Sequence, residues 1–186
     1  MPIPRNKAIT GENAFALRQE KKTWMQTFSE KHGSENLVRL NAQELIFRSL
    51  LDEASVAPFI APKRLVIVEG IPKCSAEQME ELFRALHPQV ILVFIDPKPD
   101  RRLGSVKILI EQASQKTFPL IRGAKLRAWV HTLFVEQGCS IDRGALDVFI
   151  QKIGEDQDML VQECLKLVLF IKNNHVTLED VEHIVV

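Results

Sequence analysis

The chain has 186 residues, 46% apolar and 26% charged, enough for one large domain or two small ones with real cores. Its 24 basic residues balance its 24 acidic ones, which argues against nucleic acid or an anionic membrane as the main partner. Cys74, Cys139 and Cys164 are an odd number without a C-x-x-C, which argues against a disulfide framework or a zinc site and fits a reducing, cytoplasmic setting.

The opening Met1-Pro2-Ile3-Pro4-Arg5 leads into no apolar secretory core, and the apolar runs are strand-sized, so neither export nor a membrane span is expected. Lys7 to Thr10 reads as a short first strand. Ala14 to about His32 reads as a helix with Leu17, Trp24, Met25 and Phe28 on one side, stopped by Gly33. Asn36 to Leu40 reads as a second strand. Asn41 with Glu44 has the spacing of a capping box, opening a helix that carries Leu45, Ile46, Leu50 and Leu51. Ser55 to Lys63 breaks the pattern, with Pro58 and Pro62 bracketing Phe59-Ile60-Ala61.

Arg64 to Val68 is a third strand, continuously apolar as a strand covered on both faces should be. Ser75 with Gln78 caps the next helix, which ends before Pro88. Val90 to Ile95 is the clearest strand, and Asp96 to Arg102 is a charged loop rich in proline. A helix over 105–114 and a short strand over Thr117 to Ile121 close this half. The alternation indicates a three-layer parallel α/β domain over residues 1–122.

From residue 123 the pattern is helical only. Leu126, Trp129, Val130, Leu133 and Phe134 form one helical face, ended by Gly138. Asp142 is placed to cap a helix carrying Ala145, Leu146, Phe149, Ile150 and Ile153. A third helix runs from Asp156 to Lys172, and Thr177 with Asp180 caps a short last one. Residues 123–186 therefore read as a small helical domain.

The turn after the first strand has the place of a phosphate-binding loop without its chemistry. A P-loop needs glycines whose N–H groups cradle phosphate, a Lys for the β- and γ-phosphates, and a hydroxyl for Mg²⁺. Along Gly11, Glu12, Asn13 and onward, the second glycine is Ala16, the Lys is Leu17 and the hydroxyl is Arg18. Glu12 adds negative charge where phosphate would sit. Strand three ends Val68-Glu69-Gly70, with no Asp-Glu pair to hold Mg²⁺ and activate water. No ATPase activity, cofactor or metal is expected. His32, His87, His131, His175 and His183 have no metal-ligand spacing, and Trp24 and Trp129 read as core residues.

An ordered set of segments narrows the reading. It comprises Gly11-Glu12-Asn13-Ala14-Phe15, Ala61-Pro62-Lys63-Arg64-Leu65-Val66-Ile67-Val68-Glu69, Leu126-Arg127-Ala128-Trp129-Val130 and Gly138-Cys139-Ser140-Ile141-Asp142. Gly154-Glu155-Asp156, Gln162-Glu163-Cys164-Leu165-Lys166-Leu167 and Thr177-Leu178-Glu179-Asp180-Val181-Glu182 complete it. Over nearly its whole length the chain resembles the delta subunit of the bacterial DNA polymerase III clamp loader, an AAA+ module with a lid domain. The resemblance implies a non-catalytic component of the polymerase holoenzyme that binds the β sliding clamp and favours its opening. It also implies that DNA is met only within the assembled complex. Partnership with the other loader subunits is implied too, through a helical collar domain that has no counterpart here.

In this family two adjacent large apolar side chains before strand three touch the clamp. The matching positions are Phe59 and Ile60, where the family commonly has Leu-Phe, with Lys63 and Arg64 as rim candidates. Two other functions compete with this one. A degenerate nucleotide-dependent AAA+ enzyme would bind ATP tightly with Mg²⁺. A DNA-binding module would use the lid helices, with steep salt dependence, and the basic loop of Lys98, Arg101 and Arg102 could touch DNA phosphate or an acidic partner.

Overall fold

The computed structural model describes residues 6–171 and 173–185. Met1 to Arg5, read above for a secretory signal, lie outside the described residues. The chain divides into two units, one ending at Leu120 and one beginning at Ile121.

In the first unit the strands are β1 (Asn6–Thr10), β2 (Leu37–Asn41), β3 (Arg64–Glu69), β4 (Val90–Asp96) and β5 (Ser114–Thr117). They alternate with helices α1 (Ala14–His32), α2 (Phe47–Ser55), α3 (Ala76–Ala85) and α4 (Gly104–Gln112). All pairings are parallel and the order is β2-β3-β4-β1-β5. The step from β1 to β2 crosses the sheet in the direction opposite to the later steps. With right-handed crossovers, α1 must then lie on one face and α2, α3 and α4 on the other.

The side chains agree with this. Ile9, Leu65, Ile67, Ile91, Val93 and Ile95 pack with Leu17 and Phe28 of α1. On the other face Val66, Val68, Leu92 and Phe94 pack with Leu50, Met79, Leu82 and Leu109. Strands buried on both faces need no alternation, which is why β3 and β4 read as unbroken apolar runs. Each such side chain contributes roughly 1.5–3 kcal/mol of hydrophobic stabilisation.

Two local expectations fail. Asn41 opens no helix. It ends β2, its Oδ1 accepts from the Gln43 N–H at 3.1 Å, and its amide donates to Glu44 at 3.3 Å. The Asn side chain has closed a turn of its own, and α2 starts only at Phe47, with no side-chain cap. The last strand is Ser114–Thr117, not 117–121. As an edge strand beside β1 it has polar, largely exposed side chains, and the strand-like apolar pattern falls on the residues that follow it. Phe118 N–H still donates to Thr10 O at 2.8 Å, and Pro119, lacking an N–H, cannot extend the ladder as a donor.

The second unit holds α5 (Gly123–Glu136), α6 (Arg143–Ile153), α7 (Gln157–Phe170) and α8 (Leu178–Ile184). Their core includes Leu126, Val130, Leu146, Leu160, Cys164, Leu167 and Val181. Phe134 and Phe149 meet edge to face there, with centroids 5.3 Å apart. The unit is not purely helical. Two short strands, β6 (Ser140–Ile141) and β7 (His175–Val176), pair in parallel. Two-residue strands carry no periodicity to read. Asp142 occupies the N-cap position of α6 without a capping bond, its carboxylate lying 3.3 Å from His175 Nε2 instead. Asp156 caps α7, and Thr177 with Asp180 forms the expected capping box of α8. The expected helix end at Lys172 lies outside the described residues, and α7 closes at Phe170.

Candidate functional site

The turn after β1 spends several of its backbone donors on bonds within the protein. Gly11 has φ 122°, and a Cβ there would sit 2.1 Å from the Phe118 carbonyl oxygen, so only glycine fits. Gly11 N–H donates to Pro97 O at 3.2 Å, Asn13 N–H to Phe118 O at 3.1 Å and Ala14 N–H to Glu12 O at 3.1 Å. Asn13, itself buried, caps α1 by accepting from the Ala16 N–H at 2.9 Å. Donors that a P-loop leaves open for phosphate are engaged by protein here. Leu17, at the position of the P-loop Lys, is 3% exposed and packs in the core beside Phe28.

Glu12 and Arg18 are exposed. Arg18 lines a crevice of about 520 Å³ at the carboxyl ends of the strands, together with Lys21 and Glu69. Ligands of open α/β sheets bind in such crevices. In this one Lys21 Nζ donates to the Glu69 carboxylate at 2.8 Å, so the acid ending β3 is already paired. Among the described residues no group of three or more His, Cys, Asp or Glu could hold a metal ion.

The segment between α2 and β3 is the opposite case, because it exposes apolar surface. Phe59 is 66% exposed and Ile60 90%. Val56, three residues before Phe59, is exposed as well. Ile60 has φ 49°, left-handed backbone in a β-branched residue. Such a conformation costs about 1–3 kcal/mol and persists only where neighbouring structure imposes it.

The neighbour is Asn36, in the 3-10 turn Ser34–Asn36 that links α1 to β2. Its Oδ1 accepts from Phe59 N–H at 2.6 Å, and its Nδ2 donates to Phe59 O at 2.9 Å and to His32 O at 3.3 Å. Asn36 is 2% exposed. The sequence gives no sign of this tie, since 23 residues separate its ends; Asn36 reads there as the start of a strand.

Lys63 is half-buried beside the loop. Arg64 is turned inward, its side chain 13% exposed and ion-paired with Glu53 of α2. It fastens β3 to α2.

The basic loop is partly neutralised from within. Arg102 makes a two-pronged contact with Asp100, Nε to Oδ1 at 2.9 Å and Nη2 to Oδ2 at 2.7 Å. The Arg102 side chain, and next its backbone N–H, hold the Asp100 carboxyl at about 2, well below its ordinary value. Lys98 and Arg101 stand exposed beside that pair. The histidines lie mostly at helix and strand ends, as His183 shows, its Nδ1 2.8 Å from Glu179 O. Trp24 and Trp129 pack partly buried against the two cores. Burial pushes the Cys164 thiol up to about 12, with nearby Cys139 adding to the effect, and Cys74 is raised by burial too. Among the described residues no helix is long and apolar enough to cross a membrane.

Comparison with known proteins places this geometry. The family model for "DNA polymerase III, delta subunit" matches residues 8–118, more than half of the chain. No curated protein matches it. Among solved structures, the Bacillus subtilis DNA clamp loader delta protein YqeN is similar with a TM-score of 0.71 at 20% identity. That match covers 98% of this chain and 58% of the Bacillus one, so the chain spans little more than half the length of that relative. The Thermotoga maritima RuvB Holliday junction branch migration motor follows with a TM-score of 0.58 at 8% identity, covering 96% of this chain and 60% of its own. At such identities the structural likeness speaks for the fold, which is that of AAA+ modules. The match of the family model adds the lineage: the chain belongs to the DNA polymerase III delta subunit family.

Proposed function

We propose that the chain works in the clamp loader by binding the β sliding clamp through Phe59 and Ile60 and favouring its open form, without hydrolysing ATP. The observation that carries this reading is the display of those two side chains, 66% and 90% exposed, on a loop tied to the body by a buried Asn36. Adjacent large apolar groups held out on a short restrained loop suit a pocket on a partner. Burying both would contribute roughly 3–6 kcal/mol before the costs of association. Lys63 would sit at the rim, where a charge steers encounter more than it holds.

Opening needs no chemistry. A ring bound more tightly open than closed shifts toward the open form by that difference in affinity. The engaged N–H groups around Gly11 and Asn13 and the burial of Leu17 speak against ATP as the driver. The internal Asp100–Arg102 pair weakens the case for the basic loop as a DNA footprint. Other loader subunits are partners on this reading, as the family's role in a multi-subunit loader implies.

The test is equilibrium binding to the sliding clamp, wild type beside a Phe59→Ala/Ile60→Ala double variant. Sub-micromolar binding by wild type and its loss in a folded variant are expected. Unchanged affinity in the variant would remove the assignment of this loop.

A further inference from the structure

We infer that Asn36 is the positioning residue of the clamp-binding loop, its buried carboxamide fixing the backbone of Phe59 so that Phe59 and Ile60 are presented before any partner arrives. The inference rests on the reading of Phe59 and Ile60 as the contact.

The geometry is that of a two-point grip. One side chain accepts from the N–H and donates to the C=O of the same residue, at 2.6 and 2.9 Å. A grip on both backbone polar groups of Phe59 fixes the peptides on either side of it as a ladder partner in a sheet would. The third bond, to His32 O at 3.3 Å, anchors the carboxamide to the last residue of α1. The loop is thereby tied to the helix–strand junction that carries Asn36, and not only to its own ends. Ile60 follows directly, in left-handed backbone at φ 49° and with its side chain 90% exposed. An isoleucine has no intrinsic preference for that conformation. It is held between the fixed Phe59 on one side and Pro62, two residues on, at the other.

A loop already ordered loses less conformational freedom on binding, so the tie raises affinity without touching the partner. Asparagine is the side chain that fits. Aspartate of the same shape could accept from Phe59 N–H but would set a carboxylate against the Phe59 and His32 carbonyl oxygens. Alanine would offer neither bond.

The experiment compares wild type, Asn36→Ala, Asn36→Asp and Phe59→Ala/Ile60→Ala, each checked for a cooperative melt. Two quantities are read well below the melting point: affinity for the sliding clamp, and hydrogen exchange at the Phe59 amide. The expected result is that both Asn36 variants fold, lose protection at Phe59 and bind at least tenfold more weakly. The aspartate variant, nearly isosteric, serves as the measure where alanine fails to fold. A role confined to general stability would lower the melting temperature of the Asn36 variants and leave the affinity of the folded protein unchanged. That result, with binding lost in the double variant, overturns the inference and leaves the contact reading standing. Wild-type affinity in the double variant overturns the contact reading and the inference with it.

Discussion

Ile60 carries two properties that pull in opposite directions. Its left-handed backbone, φ 49°, costs about 1–3 kcal/mol, while its side chain, 90% exposed, gains nothing from the fold. A residue that is strained and solvent-facing together makes sense where the benefit comes from a partner. Ile60→Gly separates the two. Glycine relieves the strain but adds freedom to the unfolded chain, worth about 0.5–1 kcal/mol the other way. Stability by chemical denaturation is therefore expected to be unchanged or slightly higher, while affinity for the clamp falls at least tenfold. A variant that loses stability and keeps its affinity would show that the side chain serves the fold. Phe59 and Ile60 can be singled out in the sequence because two prolines bracket them and the resemblance implies a contact pair before strand three. What holds them in place cannot, because Asn36 acts across 23 residues and nothing in its neighbours announces a buried carboxamide.

At the scale of elements, legibility follows burial. Strands β3 and β4 stand out because both faces are covered, so every position is apolar. Edge strand β5 is hidden because its residues, Ser-Gln-Lys-Thr, have water on most sides and no pattern to keep. The start of α2 was masked by Asn41, whose side chain served a turn three residues long, whereas Ser75 and Thr177 have true capping boxes. Residues 11–18 hold the place of a P-loop without its motif residues. The three departures from the motif, Ala16, Leu17 and Arg18, are readable one by one, and the structure adds how the turn is built into the fold. Leu17 belongs to the core, and Asn13 fills the helix N-terminus that phosphate would occupy. Restoring the motif residues, Leu17→Lys with Arg18→Ser, should therefore fail to create nucleotide binding. It should also destabilise the fold by about 2–5 kcal/mol through loss of core packing and burial of an amine. Nucleotide titration and a melt of the same sample check both halves; tight Mg²⁺-dependent ATP binding by the variant would contradict the account.

For the molecule as a whole, a balance of 24 basic and 24 acidic residues gives little long-range pull on DNA. Several backbone N–H groups of the turn after β1 are spent on bonds within the protein. On the proposed reading the chain works by binding free energy, applied to a ring with two states. A tenfold shift toward the open ring requires the chain to bind that state better by about 1.4 kcal/mol, less than a single well-buried Phe or Ile side chain can provide. The most direct measurement is the rate at which sliding clamps leave closed circular DNA when the chain is added without nucleotide. A clamp can leave such DNA only by opening. The account predicts faster release with the wild type, no acceleration with Phe59→Ala/Ile60→Ala, and no further effect of ATP. A release rate that the wild-type chain does not change, at concentrations that saturate clamp binding, would contradict it.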